Sequence, residues 1–229
     1  MAGVNYFDEK LFAFLNDLKA NNNREWFNAH KDRYELHVKQ PLLMFIADFA
    51  PKLRTISPHF VADPRGNGGS MFRIYRDIRF AKDKRPYKTA ASAHFRHEAG
   101  KNAHAPGFYL HLEPGNVFAG MGLWRPDGPH AALIREAIAD SPTEWTRTTT
   151  AKRFTETFHF GGASLKRPPR GFSADHALID DLKRKDFIIF TNFSDAKACS
   201  PGFLEAFTAA CKGGSRFMHF LTDAVGHSY

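Results

Sequence analysis

The sequence predicts an α+β fold in which an antiparallel β-meander is flanked by N-terminal and C-terminal helices. Two patterns predict it. Apolar residues recur every three or four positions at about 7–56 and again at about 126–225, as in amphipathic helices. At about 71–123 apolar and polar residues alternate instead, in segments separated by short turns, which is typical of hairpin-linked strands. A parallel sheet would need crossover helices between its strands.

Three helices are predicted before the meander. The first spans about 7–20, where one face is apolar. Asn22 or Asn23 can cap the second helix. Pro41 suits the first turn of a third helix that reaches about Ile56.

The meander is predicted to contain four strands, and the C-terminal part four helices and one short strand. The strands are expected at Met71–Phe80, at about Thr89–Phe95, at Gly107–Glu113 and at Val117–Leu123. The later helices are expected at Pro126–Ala139, at Pro142 to about Phe158, near Asp175–Lys185 and at about Pro201–Ala224, with the short strand DFIIFTNF at Asp186–Phe193.

The composition bounds the class of protein. With 229 residues, 43% of them hydrophobic, the chain is expected to form a single domain over 1–229. Its 23 phenylalanines are expected to be mostly core residues rather than a stacking platform. No apolar run approaches the roughly 20 residues that cross a membrane, so a cytoplasmic location without membrane contact is expected. Cys199 and Cys211 are expected to be reduced thiols.

Most of the surplus positive charge lies in one stretch. Between Arg65 and Lys101 there are ten Lys and Arg residues against three acidic residues, while the whole chain carries a net charge of +8. A concentration of this kind attracts phosphates or carboxylates. A weaker basic stretch follows at Leu165–Phe172. The sequence therefore predicts an anionic partner.

Arg76 is the central residue of the predicted site. Strand alternation places it on the same face as Phe72, Ile74 and Ile78, where an unpaired guanidinium would be strongly disfavoured. It therefore needs a partner. That partner is either a buried carboxylate, such as one on the N-terminal helices, with Glu25 as a candidate, or a bound anion in a cavity.

The other face of that strand and the following turn add further polar groups. Alternating charge on a strand is typical of a solvated face or of cross-strand ion pairs. Guanidinium and ammonium groups also suit phosphate oxygens. The candidate ligand-binding residues of this region are Arg73, Arg76, Asp77, Arg79, Lys82, Asp83, Lys84, Tyr87 and Lys88.

The start of the second helix is predicted to face this region. Free backbone amides and the positive end of the helix dipole favour anions there. This helix start offers Asn23, Arg24 and Trp26, although helix capping by Asn23 and core packing by Trp26 would also explain those two residues. Arg170, in the weaker basic stretch, is expected to close over the same site.

Four groups of motifs give the chain a resemblance to a known family. They are NNNREWFNAHKDRYE at Asn21–Glu35 with PLL at Pro41–Leu43, FRIYRDIRFAKDKRPYKT at Phe72–Thr89, GFYLHLEPG at Gly107–Gly115 with GMGLWRP at Gly120–Pro126, and LKRPPRGF at Leu165–Phe172. Over nearly its whole length the chain resembles the bacterial and fungal domain of unknown function 2461 family. The resemblance implies a compact unit with a shared site. It implies no particular activity, substrate or catalytic residue.

Two functions of different classes fit these observations. The first is the binding of a phosphate-bearing or other anionic ligand, either a small molecule of nucleotide size or a nucleic-acid backbone. If the protein also processes this ligand, Asp77 or Asp83 would act as general base. The second is a structural or protein-interaction module, in which the basic segment forms an internal ion-pair network and docks an acidic protein partner.

Other chemistries find no support in the sequence. The histidine spacings, such as His94 with His97 and His104 with His111, match no zinc pattern, so no metal site is predicted. The paired carboxylates of glycosidases, a nucleophile elbow and the kinase motifs are not recognisable either. The sequence leaves open whether the protein needs a cofactor.

Overall fold

A computed structural model describes residues 3–99 and 105–229, so Lys101 and His104 lie outside the described residues. The helices are α1 (Glu9–Ala20), α2 (Arg24–Ala29), α3 (Lys31–Tyr34), α4 (Gln40–Ile56), α5 (Gly128–Asp140), α6 (Pro142–Thr149), α7 (Lys152–Thr157), α8 (Ile179–Leu182), α9 (Asp195–Ala198), α10 (Phe203–Gly213) and α11 (Ser215–Ala224). The strands are β1 (Phe60–Val61), β2 (Ala91–His97), β3 (Gly107–Glu113), β4 (Asn116–Leu123), β5 (His159–Phe160) and β6 (Phe187–Phe193). Within the described ranges, every helix is too short or too polar to cross a membrane.

The strands form one antiparallel sheet in the order β1-β2-β3-β4-β6-β5. This confirms the predicted α+β class and the meander. The alternation in β3 and the turn before β4 placed both strands to within one residue. The predicted short strand is β6, which pairs with β4 and extends the meander across the sheet. The two-residue strands β1 and β5 were not predicted.

One face of the sheet packs against the helices and forms the core. Phe95 of β2 contacts Phe49 of α4, with ring centroids 4.7 Å apart. Where α10 meets α11, Gly214 lies so close to β4 that an added Cβ would come within 2.4 Å of the Sδ of Met121. A side chain at this junction would therefore require the Met121 side chain to move. Buried residues of α1, α4, the sheet, α10 and α11 belong to one hydrophobic cluster.

The predicted first strand of the meander, Met71–Phe80, is wrong as a regular strand. Only isolated bridges occur in it, among them the one between Tyr75 and Tyr87. After running beside β2, the chain turns away and pairs with its own returning segment instead of with the sheet. The alternation of burial nevertheless persists as far as Ile78, but Phe80 is 95% exposed.

Several predicted helices are divided differently. A π-helical turn at Glu35–Lys39 joins α3 to α4, so the predicted break at Pro41 is absent. The wider turn carries the helix past the proline, whose ring would press on the carbonyl of residue 37 in a regular α-helix. The helix expected near 175–185 is the single turn α8. The last predicted helix is two helices that meet at Gly214, and the helix from Pro142 is also two helices.

Candidate functional site

The segment 73–88, here called the basic hairpin, folds back on itself beside the start of β2. The amide of Arg76 donates to the carbonyl of Pro86, and the amide of Lys88 donates to that of Ile74, each at 2.8 Å. Buried Ile74 and Tyr87 attach the hairpin to the core. The polar side chains between them are thereby left on or near the surface.

Three arginines of the basic hairpin are paired with its own acids. Arg76 donates to an oxygen of Asp83 at 2.8 Å, and Arg85 donates to the same oxygen at 2.7 Å. Arg79 donates to Asp77 at 2.7 Å. The predicted need of Arg76 for a carboxylate partner is therefore met within the hairpin, and the suggestion of Glu25 was wrong.

These ion pairs also lower the pKa of the two acids of the hairpin, Asp77 and Asp83. The Arg85 side chain, followed by the Arg85 backbone and Arg76, holds the pKa of Asp83 well below its usual range. The Arg79 side chain lowers the pKa of Asp77 in the same way. A general base works best with a pKa near the working pH. Both carboxylates are therefore poorly suited to that role.

Four cations of the basic hairpin have no carboxylate partner among the described residues: Arg73, Lys82, Lys84 and Lys88. Lys84 donates to the carbonyl of Ile78 at 3.1 Å. Lys88 donates to that of Arg73 at 2.9 Å, and its ammonium lies 5.0 Å from the ring centroid of Phe72. Burial, and then the charge of Arg73, lower the pKa of Lys88. These cations are the ones free to meet an anion.

The start of α2 contacts the basic hairpin, as predicted, but through a residue that was not among the candidates. The side chain of Asn22 accepts from the amide of Tyr87 and donates to its carbonyl, both at 3.0 Å. Phe27 stacks on the ring of Tyr87 at 4.1 Å. Arg24 is close enough to act electrostatically on the Tyr87 hydroxyl. Two hydrogen bonds and a ring contact thus attach the start of the helix to the hairpin.

The other two candidates in α2 have structural contacts. Asn23 is the N-cap, and its side chain accepts from the amide of Trp26 at 2.9 Å. Trp26 stacks on His30, with ring centroids 4.2 Å apart, and packs against the core. Both of the plainer explanations raised from the sequence therefore hold for these two residues.

The sheet face turned away from the helices, here called the open face, carries a continuous run of rings. The centroids of neighbouring rings lie 3.7–6.2 Å apart. Within residues 3–99 and 105–229, none of these ring contacts involves a residue of a helix. All are half-buried except exposed His159. Three of the rings belong to phenylalanines, whereas most of the 23 phenylalanines are buried in the core, as expected. The rings belong to Phe72, His94, Tyr109, His111, Phe118, Phe190 and His159.

Polar atoms link three side chains of β3 on this face. The hydroxyl of Tyr109 lies 3.0 Å from Nδ1 of His111, and Nε2 of His111 lies 3.3 Å from an oxygen of Glu113. Burial lowers the pKa of His111 despite the opposing effect of Glu113. A neutral ring would accept from Tyr109 and donate to Glu113. Thr89 donates to the other oxygen of Glu113 at 3.1 Å, which ties the hairpin to the open face.

Over residues 10–220, the sequence matches the family described as Conserved hypothetical protein (DUF2461). The chain belongs to this family. No curated protein and no solved structure matches the chain. Because the description of the DUF2461 family includes no activity, the geometry of the site is the available guide to function.

The motifs behind the resemblance to the DUF2461 family occupy two ends of the sheet. The hairpin motif meets NNNREWF near Ala91, and GFYLHLEPG supplies the open face through β3. The motif LKRPPRGF lies at the other end, because the amide of Leu165 bonds to Lys183 just before β6. Arg170 is exposed there and makes no ion pair or hydrogen bond with the hairpin in the described ranges, so it does not close over that site.

Sequence reasoning missed the open face for an identifiable reason. Alternation within GFYLHLE shows that Tyr109, His111 and Glu113 share a face, but it does not show which face the helices cover. Phe118 and Phe190 reach the same face from two further strands.

No set of three or more His, Cys, Asp or Glu side chains in the described part of the chain could hold a metal ion.

Proposed function

We propose that this protein binds single-stranded nucleic acid, with bases stacked on the open face and phosphates held by neighbouring cations. The observation that carries the proposal is the run of seven rings across the side of the sheet that the helices leave uncovered. Every base has a flat face, so a platform of rings accepts bases of any sequence. Neighbouring strands are about 4.8 Å apart, which gives the run from β2 to β5 a width of about 19 Å. Two or three bases fit such a platform.

Cations stand at two ends of β2, beside this platform. Lys88 lies over the ring of Phe72, and its ammonium has no acid partner in the described ranges. Arg96 is exposed, and its Nε donates to Nδ1 of His94 at 3.1 Å, which leaves its terminal nitrogens for another group. Arg73, which follows Phe72 in the chain, adds exposed charge beside the platform, and Lys82 adds exposed charge at the turn of the hairpin. Phosphate groups that follow stacked bases would meet these side chains.

A second candidate, the structural or protein-interaction module, is favoured by the ion pairs of Asp83. Because Asp83 accepts from both Arg76 and Arg85, part of the basic hairpin is neutralised internally. The remaining cations would then dock an acidic segment of a protein partner. This candidate gives the rings of the open face no role, and the proposal of nucleic-acid binding therefore comes first.

The test is fluorescence anisotropy with labelled oligothymidylate and oligouridylate of about ten nucleotides. Phe118→Leu should weaken binding about fivefold or more, because stacking on an aromatic side chain contributes about 1–3 kcal/mol per base. The matched control is Phe12→Leu in α1, on the helical side. Both substitutions remove one ring, but only Phe118 lies on the open face.

Salt dependence tests the cations separately. The logarithm of the binding constant should fall steeply with the logarithm of salt concentration, and Arg73→Gln with Lys88→Gln should reduce the slope by about 1.4. Exposed Lys10 and Lys212, on helices, serve as the matched control pair. A binding constant that does not change with salt concentration, or that is the same in Phe118→Leu as in the wild type, would refute the proposal. Binding of polyglutamate but not of oligonucleotides would support the second candidate.

The proposal also places the protein in the cytoplasm, where its ligand would occur. Cys199 and Cys211 are free thiols, as befits a reducing compartment. Fractionation of cells that produce the tagged protein would check this location. Recovery of the protein in a membrane or secreted fraction would contradict it.

A further inference from the structure

A cleft opens at the end of the sheet opposite to the basic hairpin. It forms where β4 passes into α5 and where the segment 163–165 pairs with 183–185 before β6. Its volume is about 570 Å³. Leu123 and Phe187 pair at this end of the sheet, whereas the hairpin joins at Ala91, about 20 Å away along the strands. The lining of the cleft includes Trp124, Arg125, Asp127, Arg135, Lys185 and Asp186.

Arg135 is a fixed cation in the wall of this cleft. Its Nε donates to the carbonyl of Leu182 and one terminal nitrogen donates to that of Arg184, both at 2.8 Å. A guanidinium has five N–H groups, so three remain for another acceptor. Burial lowers the pKa of Arg135, and in the described ranges no carboxylate lies within ion-pair distance of it. Arg135 is therefore a half-buried cation that lacks a carboxylate partner in the described ranges, unlike Arg76, which pairs with Asp83.

Two acids also line the cleft, and in the described ranges neither forms an ion pair with Arg135. Asp127 is the N-cap of α5, and its side chain accepts from the amide of His130 at 3.0 Å. Asp186 is buried, and its two oxygens accept from the amide of Arg125 at 2.9 Å and from that of Ala163 at 3.0 Å. The Asp186 carboxylate thus joins two backbone segments that form the cleft. Lys185, which is exposed, adds a second cation to the lining.

An aromatic ring stands at the rim of the cleft. Trp124 is 64% exposed, and the guanidinium of Arg125 lies 4.6 Å from its ring centroid. Arg125 has a φ of 52°, the one positive value among the described residues other than glycine. Such a conformation costs about 1–2 kcal/mol and is held here by the bond to Asp186. The strained backbone of Arg125 thus lies next to an indole that is exposed to solvent at the rim of the cleft.

We propose that this cleft binds a small ring-bearing anion. Its carboxylate or phosphate would accept from Arg135 and Lys185, and its ring would lie against Trp124. The guanidinium fork of Arg135 suits either oxyanion, and an exposed indole accepts a second ring in an offset-stacked or edge-to-face arrangement. This site is distinct from the open face and does not rest on the proposal of nucleic-acid binding.

Calorimetric titration of the whole protein with benzoate and with phenyl phosphate tests the proposal and distinguishes the two anions. Benzyl alcohol supplies the ring without the charge, and acetate and inorganic phosphate supply the charge without the ring. At least one ring-bearing anion should bind more tightly than all three. Its binding should also change the tryptophan fluorescence, and Trp124→Phe should remove that change while leaving Trp26 and Trp145 in place.

Three variants assign the contacts. Arg135→Lys keeps the charge but loses the fork and should weaken binding tenfold or more, since a hydrogen bond to a charged group contributes about 1.5–3 kcal/mol. Lys185→Gln, at an exposed position, should weaken it about two- to fivefold. Lys212→Gln, an exposed change on α10, should have no effect.

Three outcomes would overturn the proposal. They are equal binding of benzyl alcohol, unchanged affinity in both Arg135→Lys and Lys185→Gln, and no binding of either ring-bearing anion at millimolar concentration. Circular dichroism of each variant shows whether it is folded, and Lys185→Gln provides the test if Arg135→Lys is not.

Discussion

Asn22 joins the helical layer to the basic hairpin, and its removal tests how the hairpin is held. Its half-buried side chain makes two hydrogen bonds of 3.0 Å to the backbone of Tyr87, 65 positions away. Asn22→Ala removes both. At about 0.5–1.5 kcal/mol each, the loss should be about 1–3 kcal/mol. For a domain of this size, that lowers the melting temperature by roughly 2–12 °C.

Asn22→Asp separates the two bonds. The new carboxylate still accepts from the Tyr87 amide, but it brings a negative charge against the Tyr87 carbonyl. This raises the pKa of the new carboxyl group in the folded state above its unfolded value of about 3.9. A raised pKa means stability that is present at low pH and lost as the pH rises. The deficit relative to wild type should therefore shrink as the pH is lowered from about 7 to about 4.

Urea unfolding followed by circular dichroism measures both effects. Asn21→Ala is the control, because the Asn21 side chain makes one exposed bond, to the carbonyl of Asp17 at 3.0 Å. It should cost less than about 0.5 kcal/mol. The reasoning fails if Asn22→Ala is no more harmful than Asn21→Ala. It also fails if the deficit of Asn22→Asp is the same at every pH.

Other perturbations give further expected outcomes. Burial lowers the pKa of His94 from 6.5 to about 4, so stability should fall by up to about 3 kcal/mol as the pH drops through this range; His94→Gln should flatten that loss in urea midpoints. Arg76→Met breaks an ion pair and should lower the melting temperature more than Lys82→Met, which breaks none; equal shifts would argue against a structural role for that pair. Gly122 has a φ of 122°, and an added Cβ would lie 2.0 Å from a backbone oxygen, so Gly122→Ala should cost at least about 2 kcal/mol. Gly115→Ala, at a φ of 73° in open space, should cost less in the same calorimetric melts.

The predictable parts of the fold are those whose structure depends on residues close together in the sequence. Alternation and a tight turn located β3 and β4, because both depend on residues within a few positions. The segment 71–80 shows the limit of that signal. Alternation reveals which side chains are buried, but a regular strand also needs a continuous backbone partner. Here the chain leaves β2 after Phe72, a path that no local pattern records.

The candidate site also has parts that could be predicted from the sequence and parts that could not. A basic concentration could be read directly from the sequence, and so could the need of Arg76 for an acid. Which acid serves depends on how the hairpin returns, and Asp83 is seven positions further on. The open face required still more, since its rings converge from strands as distant in sequence as β3 and β6.

The two outermost strands, β1 and β5, are only two residues long. Both edges of β3 and β4 are paired with neighbouring strands, and the segment at Ser70–Phe72 bonds to β2 beyond the end of β1. Long bare edges invite intermolecular strand addition and, from there, amyloid-like stacking. Because its edge strands are so short, the sheet offers little backbone for strand addition by another molecule. The protein can therefore expose a broad ring-covered surface to water with little risk of polymerisation through its backbone.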